Sequence, residues 1–250
     1  QIAKATTDLE TFVKNPLSKN SKNLTKAYYS LGYVYFGQQK YSKAMDWFLK
    51  YLEVESDANS TLYADALNRI GDCYFYARNF KNARDYYEKA ATAAPGTGDY
   101  SVFQAAYAAG LQKNYLDKIY RLEELLVKYP NSEYADEALY EIGRSYLMLK
   151  NEKMALSSYQ RLMERFPNSA MSRKAALECG MIYFNRRDYD NAIAAFKKVI
   201  EKYPGSQEAY VALETMESAY VEMNDVNGFV EYTKKVGQQL QPFTSQREDS

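Results

Sequence analysis

Histidine is missing from this chain of 250 residues. Its absence removes the usual general base, the commonest nitrogen ligand for metals and the side chain that titrates near neutral pH, so Ser-His triads and histidine-bound zinc are excluded. Cysteine is scarce. Cys73 and Cys179 read as small buried apolar residues, and in a stacked array they stand too far apart to pair. No charge excess exists either: 32 basic and 32 acidic side chains cancel, leaving no net field to draw nucleic acid or an anionic membrane. No apolar run approaches the roughly 20 residues that span a bilayer, and no signal pattern opens the chain. A Gly-rich phosphate loop, a nucleophile elbow and a metal constellation are lacking. Glu123 with Glu124 and Asp188 with Asp190 read as a solvated helix face and a helix start, while Lys197-Lys198 and Arg186-Arg187 are isolated doublets opposed by acids. The expectation is a chain that is not an enzyme, with no cofactor, no metal and no nucleic-acid partner.

What the chain has in abundance is tyrosine, 26 copies beside 11 phenylalanines and one tryptophan, and a spacing that recurs at fixed phase. Gly32, Gly71, Gly143 and Gly180 are each followed three residues on by a tyrosine (Tyr35, Tyr74, Tyr146, Tyr183). Twelve residues after the glycine comes an alanine (Ala44, Ala83, Ala155, Ala192), and four later an aromatic ring (Phe48, Tyr87, Tyr159, Phe196). Pro95, Pro167 and Pro204 close three of these units. Such self-similarity is the mark of a stack of helix pairs. In each first helix, apolar residues fall at i, i+3, i+4 and i+7, as in Leu139, Ile142, Gly143 and Tyr146. The small glycine lets the second helix approach, and the alanine is expected to meet it.

With the glycine numbered position 8 of its unit, the units begin near residues 25, 64, 99, 136, 173 and 209, and position-8 residues lie 39, 35, 37, 37 and 36 apart. The third and sixth units are degenerate. In the third, Ala106 replaces the glycine and Lys118 the alanine. In the sixth, Met216 takes the glycine place while Gly228 and Tyr232 hold the alanine and aromatic places. The turns Tyr129-Pro130-Asn131-Ser132, Phe166-Pro167-Asn168-Ser169 and Tyr203-Pro204-Gly205-Ser206 end one helix at proline and offer serine as N-cap to the next. Ala94 to Gly98 is a looser version, expected to be the most flexible joint. Residues 1–24 read as a remnant of a preceding unit, residues 25–236 as six repeats, and residues 237–250 as a polar tail or the start of a further repeat, structureless by pattern from Gln238. Both ends look cut from a longer chain.

The segments Tyr28-x2-Leu31-Gly32-x2-Tyr35, Leu67-x2-Ile70-Gly71-x2-Tyr74, Leu139-x2-Ile142-Gly143-x2-Tyr146 and Ala176-x2-Cys179-Gly180-x2-Tyr183 resemble the tetratricopeptide repeat signature. The Pro-Asn-Ser turns and the near-37-residue period are similar to a bacterial cell-envelope subset that includes the outer-membrane assembly lipoprotein BamD, the Tol-Pal coordinator CpoB and large tetratricopeptide proteins of Bacteroidetes. The resemblance implies an all-α, right-handed superhelix of about six helix pairs, whose concave face docks a protein or peptide. It also implies a periplasmic or outer-membrane-associated location, with a cytoplasmic adaptor as the alternative. Members that clamp a C-terminal carboxylate use Lys and Asn at positions 5 and 9. Here those pairs are Tyr29 and Tyr33, Asn68 and Asp72, Phe103 and Tyr107, Tyr140 and Arg144, and Leu177 and Met181, which departs from that class.

In a regular superhelix, positions 5, 9 and 12 project into the groove. They supply Tyr29, Tyr33, Phe36, Asn68, Asp72, Phe75, Phe103, Tyr107, Tyr140, Arg144 and Phe184 as candidate partner-binding residues, an aromatic trough with few charges. Flat amphipathic rings and arginine bury much area at small entropic cost, which suits a protein interface. The bland reading is that the rings only pack against neighbouring helices. A glycan stacked on the rings is the alternative ligand, with Asn68 and Asp72 as its hydrogen-bonding groups.

Overall fold

The computed structural model describes residues 1–19 and 22–247, with side chains as far as residue 237. Among the described residues it contains thirteen α-helices and no strand, and no helix is long and apolar enough to cross a membrane. The chain divides into two compact units, Gln1–Ala135 and Asp136–Ser250. The first holds α1 (Ile2–Lys14), α2 (Lys22–Gly37), α3 (Tyr41–Val54), α4 (Thr61–Tyr76), α5 (Phe80–Ala93), α6 (Asp99–Leu111) and α7 (Tyr115–Lys128). The second is made by α8 (Ala135–Met148), α9 (Glu152–Arg165), α10 (Ala170–Asn185), α11 (Tyr189–Lys202), α12 (Gln207–Glu222) and α13 (Val226–Arg247). Consecutive helices pack on one another, α2 on α3 and α4 on α5 in the first unit, α10 on α11 in the second.

Four of the pairs close on a ring. A methyl group built on Gly32 would stand 2.6 Å from the Phe48 ring, on Gly71 2.7 Å from Tyr87, and on Gly180 2.4 Å from Phe196. All four alanines at position 20 are fully buried, and the atoms standing nearest to each glycine belong to the aromatic one turn further along. A flat ring covers more of the first helix than a methyl does, so the ring takes the close approach. The degenerate third pair solves the same problem differently. Gly110 stands one turn after Ala106, and the stem of Lys118 lies on it, with Cδ 2.6 Å from where a Cβ would be. Lys118 is buried and its ammonium sits 5.4 Å from the Tyr107 ring centroid.

Between the two helices of every pair, one residue adopts a left-handed conformation: Gln39, Arg78, Lys113, Lys150, Arg187 and Asn224, with φ between 55° and 61°. The next residue opens the second helix, and Asn79, Asn114, Asn151 and Asp188 cap it through their side chains. Ser60, Ser169 and Ser206 cap first helices in the same way.

This turn sets the register of the sixth pair. Asp225 donates its N–H to the Tyr220 carbonyl at 2.8 Å as Asn151 does to Tyr146 at 2.8 Å, so Tyr220 is the counterpart of Tyr146. The glycine, alanine and aromatic places therefore fall on Glu217, Phe229 and Thr233, one residue later than Met216, Gly228 and Tyr232. Burial drives the shift: fully buried Met216 fills the interior place held elsewhere by Leu31, Ile70 and Ile142. Ala94 to Gly98 contains a 3-10 turn, Pro95–Thr97, with the Tyr129 hydroxyl donating to the Pro95 carbonyl at 2.5 Å. One further expectation changes. The stretch after Gln238 continues α13 to Arg247, because glutamine and leucine favour helix. Residues 248–250 of that expected tail lie outside the described residues.

Candidate functional site

The rings nominated on the first helices stand in two groups, one per unit. In the first unit, Tyr29 and Tyr33 sit one turn apart on α2, with ring centroids 5.0 Å apart. Both hydroxyls donate to Asp65 Oδ2 on α4, Tyr29 at 2.7 Å. Tyr33 meets Phe48 edge-on at 5.3 Å. At the end of the same helix Phe36 lies edge-on to Tyr41, and Tyr41 stacks on Tyr76 with centroids 4.4 Å apart and planes 11° apart. Tyr76 is 58% exposed, the most open ring of the group. Phe75 stands edge-on to Phe80 at 5.4 Å and 6.2 Å from Tyr107.

Arg69 organises the centre of this surface. Its guanidinium lies 5.8 Å from the Phe36 ring centroid and 5.3 Å from that of Tyr100, and Nη1 pairs with Asp72 Oδ2 at 3.0 Å. The other Asp72 oxygen accepts from Tyr87 at 2.6 Å and from Tyr100 at 2.8 Å. Asp72, at 4% exposure, lies in the interior, as does Phe103 at 6%. Asn68 accepts from the Ser101 hydroxyl at 2.9 Å. The groups that a sugar would need, Asn68 and Asp72, are thus engaged within the unit. A small cavity of about 260 Å³ opens beside Asp65, Asn68, Arg69, Tyr100 and Ser101. Arg69 Nε, buried and without a hydrogen-bond partner, stands 3.9 Å from Asp65 Oδ1.

Burial and the neighbouring carboxylates act on these groups in one direction. The Tyr29 hydroxyl is pushed up to about 12 by burial and by its bond to Asp65. Tyr33, Tyr87 and Tyr100 are raised by burial first and then by Asp65 or Asp72. Asp72 itself is raised by burial, against the pull of Arg69. The hydroxyls stay protonated and donating, which locks the rings in place.

The second unit repeats the device. Tyr140 and Tyr159 donate to the two oxygens of Glu178 on α10. Arg144, 53% exposed, reaches Glu141 at 3.3 Å and lies 5.9 Å from the Tyr140 ring. Phe184 packs edge-on against Tyr189 at 5.7 Å. The acids that tie the tyrosines down, Asp65 and Glu178, escaped sequence reasoning, as did Arg69, Tyr41 and Tyr76. The available signal was an acid about one period after each tyrosine: Tyr29 and Asp65 are 36 residues apart, Tyr140 and Glu178 are 38.

Residues 23–96 match the family model described as tetratricopeptide repeat, and residues 135–247 match the one described as outer membrane lipoprotein. No curated protein matches the sequence. Among solved structures, the chain is similar to the C-terminal part of a tetratricopeptide repeat-containing protein from Cytophaga hutchinsonii, with 21% identity, TM-score 0.67, and coverage of 85% of this chain and 81% of that one. A tetratricopeptide repeat protein from Parabacteroides merdae aligns with 17% identity, TM-score 0.61, and coverage of 86% and 79%. YrrB, described as a tetratricopeptide protein with an unusual peptide-binding site, aligns with 20% identity, TM-score 0.58, and coverage of 82% and 99%. At these identities the likeness is one of fold.

Proposed function

The chain is a tetratricopeptide repeat protein, and from that premise we propose that it is a non-catalytic scaffold whose first-helix aromatic surfaces hold a segment of another protein in a bacterial cell envelope. The observation that carries the reading is the stacked Phe36, Tyr41 and Tyr76 cluster beside Arg69. Its rings are held by packing and its neighbours' hydroxyls are tied to Asp65 and Asp72, so a partner meets a surface ordered in advance. Tyr29, Tyr33, Phe75 and Tyr107 extend that surface in the first unit, and Tyr140, Arg144 and Phe184 form the second unit's own patch. The peptide-binding site named for YrrB supports the class of partner. The match of residues 135–247 to an outer membrane lipoprotein family supports the envelope location.

The test compares the wild-type chain with Tyr76→Ala and with the Tyr33→Ala/Tyr107→Ala pair. A partner is first identified by crosslinking in envelope extract, and its affinity for each purified variant is then measured. Losing a hot-spot ring costs about 2 kcal/mol or more, so a fall of at least tenfold is expected. Unchanged affinity in both variants overturns the reading.

A further inference from the structure

Three departures from the repeat meet at the cavity of about 260 Å³ beside Arg69. With the glycine at position 8, position 5 carries Tyr29, Asn68, Phe103, Tyr140 and Leu177 along the first five pairs, so Asn68 alone is neither aromatic nor aliphatic. Position 6 carries Ser30, Arg69, Gln104, Glu141 and Glu178, and only Arg69 is basic. Position 3 is alanine in four of these pairs and Ser101 in the third. Asn68, Arg69 and Ser101 all line this one cavity between α4, α5 and α6, together with the exposed Thr61 and Thr97. The missing ring explains the space. Tyr29 and Tyr140 reach forward to an acid of the next pair, Asp65 and Glu178. The shorter Asn68 accepts from the Ser101 hydroxyl at 2.9 Å, and the volume that a ring takes elsewhere stays open.

What the cavity offers is one donor and one acceptor. Arg69 Nε is buried with no hydrogen-bond partner, and Asp65 Oδ1 stands 3.9 Å from it, too far for a direct bond. The other oxygen of Asp65 is taken by Tyr29 and Tyr33, and Arg69 Nη1 by Asp72. Nε and Oδ1 are therefore the pair left to a ligand, and a buried donor left unpaired is costly enough that an acceptor placed there is favoured.

Charge narrows the class of that ligand. Two carboxylates, Asp65 and Asp72, flank the one guanidinium, which disfavours an anion. An ammonium would pair with Asp65 but leave Nε unanswered and set a like charge beside it. A neutral group with an acceptor and a donor side by side answers both atoms, and among side chains a primary carboxamide has that form. Tyr100 lines the cavity, and Tyr29 and Tyr33 share Asp65 with it, so the site adjoins the aromatic surface. Resting on the reading of that surface as a docking site, we propose that the cavity receives the carboxamide of a glutamine or asparagine side chain of the docked segment, its oxygen accepting from Arg69 Nε and its N–H donating to Asp65 Oδ1.

The probe is propionamide, which carries the glutamine carboxamide without charge. It is titrated into the isotopically labelled full chain while the arginine Nε–H signals are followed by NMR, that of Arg69 being the one missing in Arg69→Lys. A saturable shift of this signal is expected. Propionate and propylammonium should bind about tenfold more weakly, since each leaves one of the two atoms unanswered. Asn68→Tyr, which restores the ring of the first and fourth pairs, should abolish the shift. Thr61→Trp covers the cavity from an exposed position and should do the same if Asn68→Tyr fails to fold. Equal shifts with all three probes, or none with propionamide, mean that the cavity holds only water and overturn the proposal. Since propionamide does not need the aromatic surface, such a failure is distinct from a failure of the docking reading, which partner affinity in Tyr76→Ala reports. A capped alanyl-glutaminyl-alanine tripeptide separates the sources of the amide. It should bind at least as tightly as free glutamine, and tighter binding of free glutamine makes the occupant a metabolite and overturns its assignment to a protein segment.

Discussion

Tyr159 occupies the space that a methyl group on Gly143 would need: a Cβ there would stand 2.3 Å from the ring's Cε1. Both residues are buried, and the ring is further held by the bond from its hydroxyl to Glu178. Gly143→Ala therefore forces the helices of the fourth pair apart or drives the ring off its rotamer, at a cost of about 1–3 kcal/mol. The third pair shows the compensation, since Ala106 and Leu122 replace glycine and ring together. Gly143→Ala should lower the urea midpoint. Adding Tyr159→Leu should cost less in that background than in the wild type, and strictly additive losses would sink the coupling.

The left-handed turn residues point the opposite way. Lys150 holds φ at 58°, a conformation that disfavours an L-residue by roughly 1–2 kcal/mol, while glycine adopts it freely and gives back about 0.5–1 kcal/mol in unfolded-state entropy. Lys150→Gly should therefore stabilise the second unit by about 0.5–1 kcal/mol, read as a rise in its urea midpoint. The same change at helical Lys153 should destabilise. A fall at Lys150 would show that its side chain contributes more than its backbone costs.

Alkaline titration should show a delayed class of tyrosines. Tyr29 is pushed up to about 12, and Tyr33, Tyr51, Tyr87, Tyr100, Tyr140 and Tyr159 are raised as well, with burial the first cause in each. These groups keep their protons in the fold and lose them near 10 when unfolded. The stability they contribute is whole below about pH 10 and declines as pH rises above it. The phenolate absorbance of these buried tyrosines should rise only together with the loss of helix signal. A single smooth step completed with the helices intact would contradict this.

One free thiol lies in each unit, Cys73 on α4 and Cys179 on α10, and burial raises each to about 12. Neither is a nucleophile at neutral pH. Disulfide reagents should react with the native chain far more slowly than with the urea-unfolded chain, and Cys73→Ser and Cys179→Ser leave a single reporter for each unit. Lys150→Gly should slow labelling at Cys179 and leave Cys73 unchanged. Labelling of the native chain as fast as of the unfolded one would show the thiols to be open.

Much of the fold was legible because glycine, tyrosine and aromatic recur at one period, and each packing choice repeats. The third and sixth pairs were harder. At Met216 a large apolar side chain followed the interior rather than the motif, and a register read from residue identity slipped by one. The nominated surface was legible in its residue types but not in its bonding. Position alone could not show that Asp72 and Phe103 turn inward, or that the hydroxyls of Tyr29 and Tyr140 are spent on Asp65 and Glu178. Those bonds depend on how far one helix pair is rotated against the next, and no single unit's sequence states that rotation.

The ring contacts of Gly32, Gly71, Gly143 and Gly180 each join residues sixteen positions apart, Gly32 to Phe48 and Gly180 to Phe196 among them. The contact that closes a hairpin is thus available as soon as two helices and one turn have formed, before any neighbour arrives. Loop closure over so short a span is cheap, and local contacts speed folding. A ribosome releasing this chain would expose one closable hairpin at a time, so the order of synthesis and the order of assembly can coincide.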